Sequence, residues 1–157
     1  MSFSIYLSLR GSRQGNISSG CGDISSIGGK CQVGHLNEIF VYGVNYGIEM
    51  MDNKSLSPLT IIKPVDKSSP LLFQAVNDNE MLDCEFNFYR LGDGGFMENY
   101  YKIKLQKSRI VSIQSAHPHS VTQNDGQPEE VVTFKYVDIT LEHIVAKTSG
   151  WASWQDA

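Results

Sequence analysis

His117-Pro118-His119 is the pair of side chains in this sequence best placed to hold a metal ion. The proline between them stiffens the pair, but no third ligand follows at a spacing that metal sites use. A solvated loop is therefore the expectation. Cys21, Cys31 and His35 offer two thiols and an imidazole, yet the nine-residue gap between the cysteines fits no zinc finger or ribbon. Small buried thiols are expected instead. Gly28-Gly29-Lys30 has the ending of a phosphate loop, but Ile24 stands where its first glycine belongs. Cys31 replaces the serine or threonine that would hold magnesium, so the match is rejected. No G-x-S-x-G elbow presents a nucleophile. Glu129-Glu130 and Asp138 with Glu142 are carboxylate pairs only in a loose sense, since such residues on strands usually face water. Trp151 and Trp154 could form a sugar platform, but a tryptophan near a barrel edge is more often a packing anchor. No catalytic constellation emerges, and neither enzymatic activity nor a cofactor or metal is expected.

Composition narrows the class further. A chain of 157 residues suffices for one domain, 1–157, with a real core. Apolar residues make up 41% and charged residues 19%, which argues against disorder. Net charge is −4 and the basic residues are scattered, so a nucleic-acid groove is not expected. No apolar run approaches the ~20 residues that span a bilayer, so no membrane insertion is expected. The opening MSFSIYLSLRGSRQG lacks the basic start, long apolar run and small-residue cleavage site of a secretory leader. Three cysteines, Cys21, Cys31 and Cys84, cannot all pair and suit a reducing cytoplasm.

The elements that would position these residues are nearly all strands. The one clear helix signal lies within Thr60–Glu80. Ser69 reads as its N-cap and Pro70 as its first helical residue, where a missing N–H costs nothing. Leu71, Leu72, Ala75 and Val76 recur at helical spacing, and Asn77–Asn79 can end the helix. Thr60–Ile62 reads as a strand stopped by Pro64. Phe3, Ile5, Leu7 and Leu9 alternate with polar neighbours as a first strand. Gly11–Gly29, with Ile17, Ile24 and Ile27 in a polar tract, reads as short strands and tight turns. Glu38–Met50 reads as one long strand or a bent pair, with Gly43 and Gly47 at bends, and Asp52–Pro58 as a polar loop.

Further on, Cys84, Phe86 and Phe88 alternate, Asp93-Gly94 makes a tight turn, and Tyr101, Ile103 and Leu105 return as a hairpin. The strand resumes through Ile110–Ile113. His117–Glu130, with Asp125-Gly126, reads as a loop or long hairpin arm. The apolar face flips at Tyr136-Val137, which predicts a bulge or a switch of sheet. The class is thus mostly β: a two-sheet β-barrel with one short flanking α-helix over about Ser69–Asn77, the helix covering a seam or edge.

Several stretches together carry a resemblance: GSRQGNISSGCGDISSIG, EIFVYGVNYGI, TIIKPVDKSSPLLFQAVNDNE, FNFYR, ENYYKIKLQKSRIVSI and VVTFKYVDITLEHIVAKTSGWASW. From end to end the sequence resembles the haemolysin-coregulated protein (Hcp) family, tube subunits of the bacterial type VI secretion system, in its enterobacterial branch. The resemblance implies six-membered rings stacked into a hollow tube, driven by a contractile sheath on a baseplate and tipped by a trimeric spike. It implies small effector proteins carried in the lumen. Export would proceed from the cytoplasm through the apparatus, without a cleaved leader. Some relatives carry a C-terminal toxin domain, and a chain ending at Ala157 is expected to lack one. Polar, turn-rich composition makes Asp52, Asn53 and Lys54, the tip Gly92, Asp93 and Gly94, and the tail with Trp151 and Trp154 candidates for contacts between subunits or rings. The alternatives are a monomeric β-barrel ligand-binding module and a metal-dependent hydrolase built on His117 and His119.

Overall fold

The computed structural model describes residues 3–123 and 126–154. The alternation at the start folds as β1 (Phe3–Gly11), with Ile5, Leu7 and Leu9 buried. Its other face is not wet throughout. Tyr6 stacks on His35 with ring centroids 3.8 Å apart, and its hydroxyl donates to Gln32 Oε1 at 2.7 Å. The segment 31–38 thus returns over that side of the strand.

Residues 11–29 depart from the expectation of short strands. Only β2 (Gly15–Asn16) pairs, with Arg10 and Gly11. Turns lead to a single-turn helix, α1 (Ile24–Ile27), and a 3₁₀ turn over Gly28–Lys30. The Asp23 side chain accepts from Ser25 N and gives the backbone a local partner that competes with a ladder. Of the three isoleucines that suggested strands, Ile17 is buried and Ile24 is exposed.

Glu38–Met50 breaks into β3 (Ile39–Val41), β4 (Gly43–Asn45) and β5 (Ile48–Met50). The stretch 52–58, expected as a loop, contains β6 (Lys54–Leu56), which pairs with β5 to form a separate hairpin. Its polar sequence hid it, because only Leu56 of β6 is buried in the core and one apolar residue makes no alternation. Strand β7 (Leu59–Pro64) ends at Pro64 as expected.

Helix α2 (Ser69–Asn77) has the expected bounds. Leu72 and Ala75 are buried, and Leu71 and Val76 pack at the margin. Asn79 takes the left-handed conformation (φ 49°) just past its end. The cap differs from the expectation: Ser68, not Ser69, precedes the helix, and its hydroxyl does not cap it. Ser69 is the first helical residue, and its hydroxyl turns to Glu130 instead.

Strands β8 (Leu82–Leu91) and β9 (Met97–Ala116) form the hairpin around Asp93-Gly94. The strand expected to resume at Ile110 is the same β9, twenty residues long, with Lys107 at φ 52° where it changes partners. Arg109–Ala116 pair with β10 (Glu129–Lys135), which also pairs with β7. Tyr101–Gln106 pair with β11 (Asp138–His143), followed by β12 (Thr148–Ser153). The flip at Tyr136-Val137 is therefore a switch of sheet. Asp125 of the expected Asp125-Gly126 turn, and residues 155–157 of the tail, lie outside the described residues.

Two sheets result. One joins β1, β3, β8, β11 and β12 to the first half of β9; the other joins β4, β7 and β10 to its second half. At the far corner the bent segment 39–45 bridges them. Val41 lies opposite Ile5 on β1, Tyr42 N donates to Ile62 O at 2.7 Å, and Gly43 lies opposite Ile62 on β7. Between the sheets Phe86 and Phe134 meet edge to face at 6.2 Å. This is the expected mostly β, two-sheet barrel with a flanking helix, and α2 crosses from one sheet to the other.

Candidate assembly surface

What seats α2 is a buried ionic cluster. Lys63, at the end of β7, has no exposed side-chain surface. Its Nζ donates to Glu130 Oε1 at 2.7 Å, Pro64 O at 2.9 Å and Ser69 Oγ at 3.3 Å, and lies 3.0 Å from Asp66 Oδ1. Ser69 Oγ donates to Glu130 Oε1 at 2.6 Å and Ser115 Oγ to Oε2 at 3.0 Å. Ser68 donates to Asp66 Oδ1 through both its N–H and its hydroxyl. Burial disfavours the charged form of Glu130. The bonds from Lys63 and Ser69, the Lys63 charge and Ser115 outweigh it and hold the carboxyl below its ordinary range. Breaking one partner of such a pair leaves an uncompensated buried charge. The expectation that Glu130 faces water is therefore corrected: its side chain points inward because an ammonium waits there. A lysine, an aspartate and two serines packed around Pro64 were the available signal. Their partner is 67 residues away, which no local pattern reveals.

A second carboxylate fixes the other end of the helix. Glu80 accepts from Arg13 N at 2.9 Å and Gln14 N at 2.8 Å, and from Gln14 Nε2 at 3.0 Å. Burial again opposes ionisation, and the bonds from Gln14 and Arg13 overcome it, so its pKa is lowered. Gly11 permits the approach, because a Cβ there would sit 2.1 Å from Glu80 Oε2.

Outside the core, the β5–β6 hairpin is the most unusual surface. It pairs with no barrel strand among the described residues. Ile48, Met50 and Met51 are 57%, 73% and 85% exposed. Its base is closed by Ser57 N to Gly47 O (3.0 Å) and held by Tyr136 Oη to Ser57 O (2.8 Å), and beside its turn Lys54 Nζ donates to Ser153 O (2.7 Å). An apolar groove of about 230 Å³ runs between this base and β11–β12, lined by Tyr46, Ile48, Leu56, Leu141 and Trp151 among others. The β8–β9 tip exposes Leu91 and Phe96. By contrast the outward face of β1, β8 and β9 is a shallow polar concavity of about 1000 Å³, with Arg10, Asp83, Glu85, Asn87, Lys104 and Gln106 on its wall. Glu85 pairs there with Lys102 at 3.1 Å and Lys104 at 3.9 Å.

The expected contact residues fall on these surfaces unevenly. Asp52 and Asn53 are exposed at the hairpin turn, and Lys54 reaches back to β12. Asp93 and Gly94 are exposed at the tip, and Gly92 is half-buried under it. Trp151 is 60% exposed on β12, whereas Trp154 packs against Tyr136 with Lys135 Nζ 5.5 Å above its ring. The expected chemistry takes structural roles. His119 Nδ1 accepts from Val121 N and Thr122 N within its loop. His35 Nδ1 lies 2.8 Å from Glu38 Oε1. Cys21 and Cys84 are buried, and Cys31 is half-buried. Among the described residues no three histidine, cysteine or acidic side chains gather as metal ligands.

Comparison with known proteins agrees with this architecture. The family model for the type VI secretion system effector Hcp matches residues 6–143. The chain is 32% identical to the major exported protein of Pseudomonas aeruginosa, covering 96% of this chain and 94% of that one. It is 35% identical to YhhZ of Escherichia coli K12 across 94% of this chain, but spans only 37% of YhhZ. Among solved structures, the secreted protein Hcp3 from Pseudomonas aeruginosa superposes with a TM-score of 0.88 at 33% identity, covering 97% of this chain and 98% of that one. A crystal structure of an Hcp protein superposes with a TM-score of 0.90 at 27% identity and the same coverage. Barrel, flanking helix and whole-length similarity agree, and the chain belongs to the Hcp family, the tube-forming proteins of the type VI secretion system.

Proposed function

We propose that this chain is a single-domain, non-catalytic building block whose six copies close into a ring, and whose rings stack into a hollow tube. The observation that carries the reading is the β5–β6 hairpin. A two-stranded ribbon is marginal alone in water, and one that exposes two methionines and an isoleucine calls for cover from another chain. Ring closure needs two unlike flanks. Strands β4 and β12 each end a run of pairing among the described residues, and they are unlike in sequence and setting.

Asp52–Lys54 at the hairpin turn, Gly92–Gly94 at the tip and Trp151 then meet the next subunit or ring, with Trp154 supporting β12 from behind. The polar concavity over β1, β8 and β9 suits a lumen wall. Mixed charges would hold small effector proteins weakly enough to release them. The remaining partners in this reading are the trimeric spike, the contractile sheath and the baseplate. The chain waits in the cytoplasm and leaves through the apparatus.

Mass measurement with negative-stain imaging is the test. A six-fold ring of about 105 kDa, six times the 17.5 kDa chain, is the expected species. A monomer at every concentration would favour a ligand-binding barrel and sink the ring.

A further inference from the structure

The cluster that seats α2 gathers side chains from five places: Lys63 on β7, Asp66 and Ser68 in the turn, Ser69 on α2, Ser115 on β9 and Glu130 on β10. Lys67 and the buried Cys21 thiol are the other titratable groups facing it, and the charges of Asp66, Lys63 and Lys67 all act on that thiol. We propose that this cluster is an acid-operated latch, in which protonation of Glu130 frees the turn 64–68 and the first turn of α2 while the two sheets stay folded.

The side-chain bonds joining the turn and helix to β10 converge on one carboxylate. Lys63 and Ser69 both end on Glu130 Oε1, and Ser115 holds Oε2. A carboxylic acid has fewer acceptor sites than a carboxylate and no charge to balance the buried ammonium. The other carboxyl beside Lys63, Asp66 at 3.0 Å, belongs to the turn itself and makes no tie to β10. Contacts between the sheets, such as Phe86 on Phe134, have no part in this titration.

The sign follows from Glu130. Its pKa lies below the ordinary 4.5 despite burial, because Lys63, Ser69 and Ser115 favour the anion. The latch is therefore shut above that ordinary value and opens as pH falls through the lowered one. The inference holds whether or not rings form, so its failure and that of the tube reading are separable.

Amide hydrogen exchange on the full chain tests it, with rates corrected to protection factors from about pH 7 to about pH 3. Protection of Leu72–Val76 is expected to fall about tenfold or more at a pH where the β8–β9 amides keep theirs. Glu130→Gln is expected to show that loss already near neutrality, with Glu80 leaving a smaller loss in acid. Should that variant not fold, Ser115→Ala removes one stabiliser of the anion and is expected to move release to higher pH. Helix and strands losing protection together, or either variant tracking the parent chain, would overturn the latch.

Discussion

Gly22 shows how tightly single residues are specified. A Cβ there would meet His35 O at 2.0 Å, a backbone atom that cannot swing aside. Gly22→Ala is expected to cost about 1–3 kcal/mol of stability, read as a lowered denaturant midpoint with an unchanged slope. The thiols behave differently from one another. Burial pushes Cys21 and Cys84 up to about 12. A thiol reagent near neutral pH is expected to modify Cys31 in the folded chain and the other two only after unfolding. Labelling of Cys84 in the native state would contradict this. Titration also limits stability at both ends of the pH scale. Tyr6 is raised from 10.0 to about 12 by burial and the Glu38 charge, so its contribution is complete below pH 10.0 and is lost as pH rises toward 12. Glu80 is lowered, so its contribution is complete above the ordinary 4.5 and is lost in acid. Glu80→Gln is expected to flatten the acid limb of a thermal-stability profile. Cys31, expected to be buried with Cys21, is half-buried, whereas burial of Cys21 was legible in the sequence because no ligand spacing accompanied it. The inward turn of Glu130 was not, because a period of two says which residues share a face but not that a lysine lies behind it.

Elements were legible where one segment supplied its own signals. Helix α2 has a proline in its first turn, an apolar stripe and asparagines at its end, so its bounds were evident. Leu72 fills its buried side, and Leu72→Ala is expected to cost about 2–5 kcal/mol by leaving a cavity under the helix. The β5–β6 hairpin was invisible for the opposite reason: bonds to two distant residues, Tyr136 and Ser153, hold it in place. Its exposed methionines are expected to matter little to the fold. Replacing Met50 and Met51 by aspartate is expected to leave stability within about 0.5 kcal/mol. The same pair of changes is expected to abolish stacking in electron micrographs. Unchanged tubes from that variant would remove the hairpin from the contact.

The whole chain carries a net charge of −4. A six-membered ring gathers that charge six times over at short range, and salt screens it beyond ~8 Å at physiological strength. The fraction of chains in rings is therefore expected to rise from low salt to moderate salt at fixed concentration, as counted by mass photometry. A fall would mean that attractive charge pairs dominate the contact. The barrel class was legible from many short alternating strands with one helix. The path of the chain between sheets was legible only at Tyr136-Val137, where the apolar parity changes. The crossing within β9 left no such mark, since Lys107 bends the strand without a glycine or proline to announce it.

That shared strand has a mechanical consequence. Because β9 runs through both sheets, a force pulling them apart acts along a continuous backbone as well as across side-chain packing. The bent segment 39–45 ties the opposite corner. The two sheets therefore resist being opened like a hinge, and a column built from such units is expected to take up bending and torsion in the joints from one copy to the next.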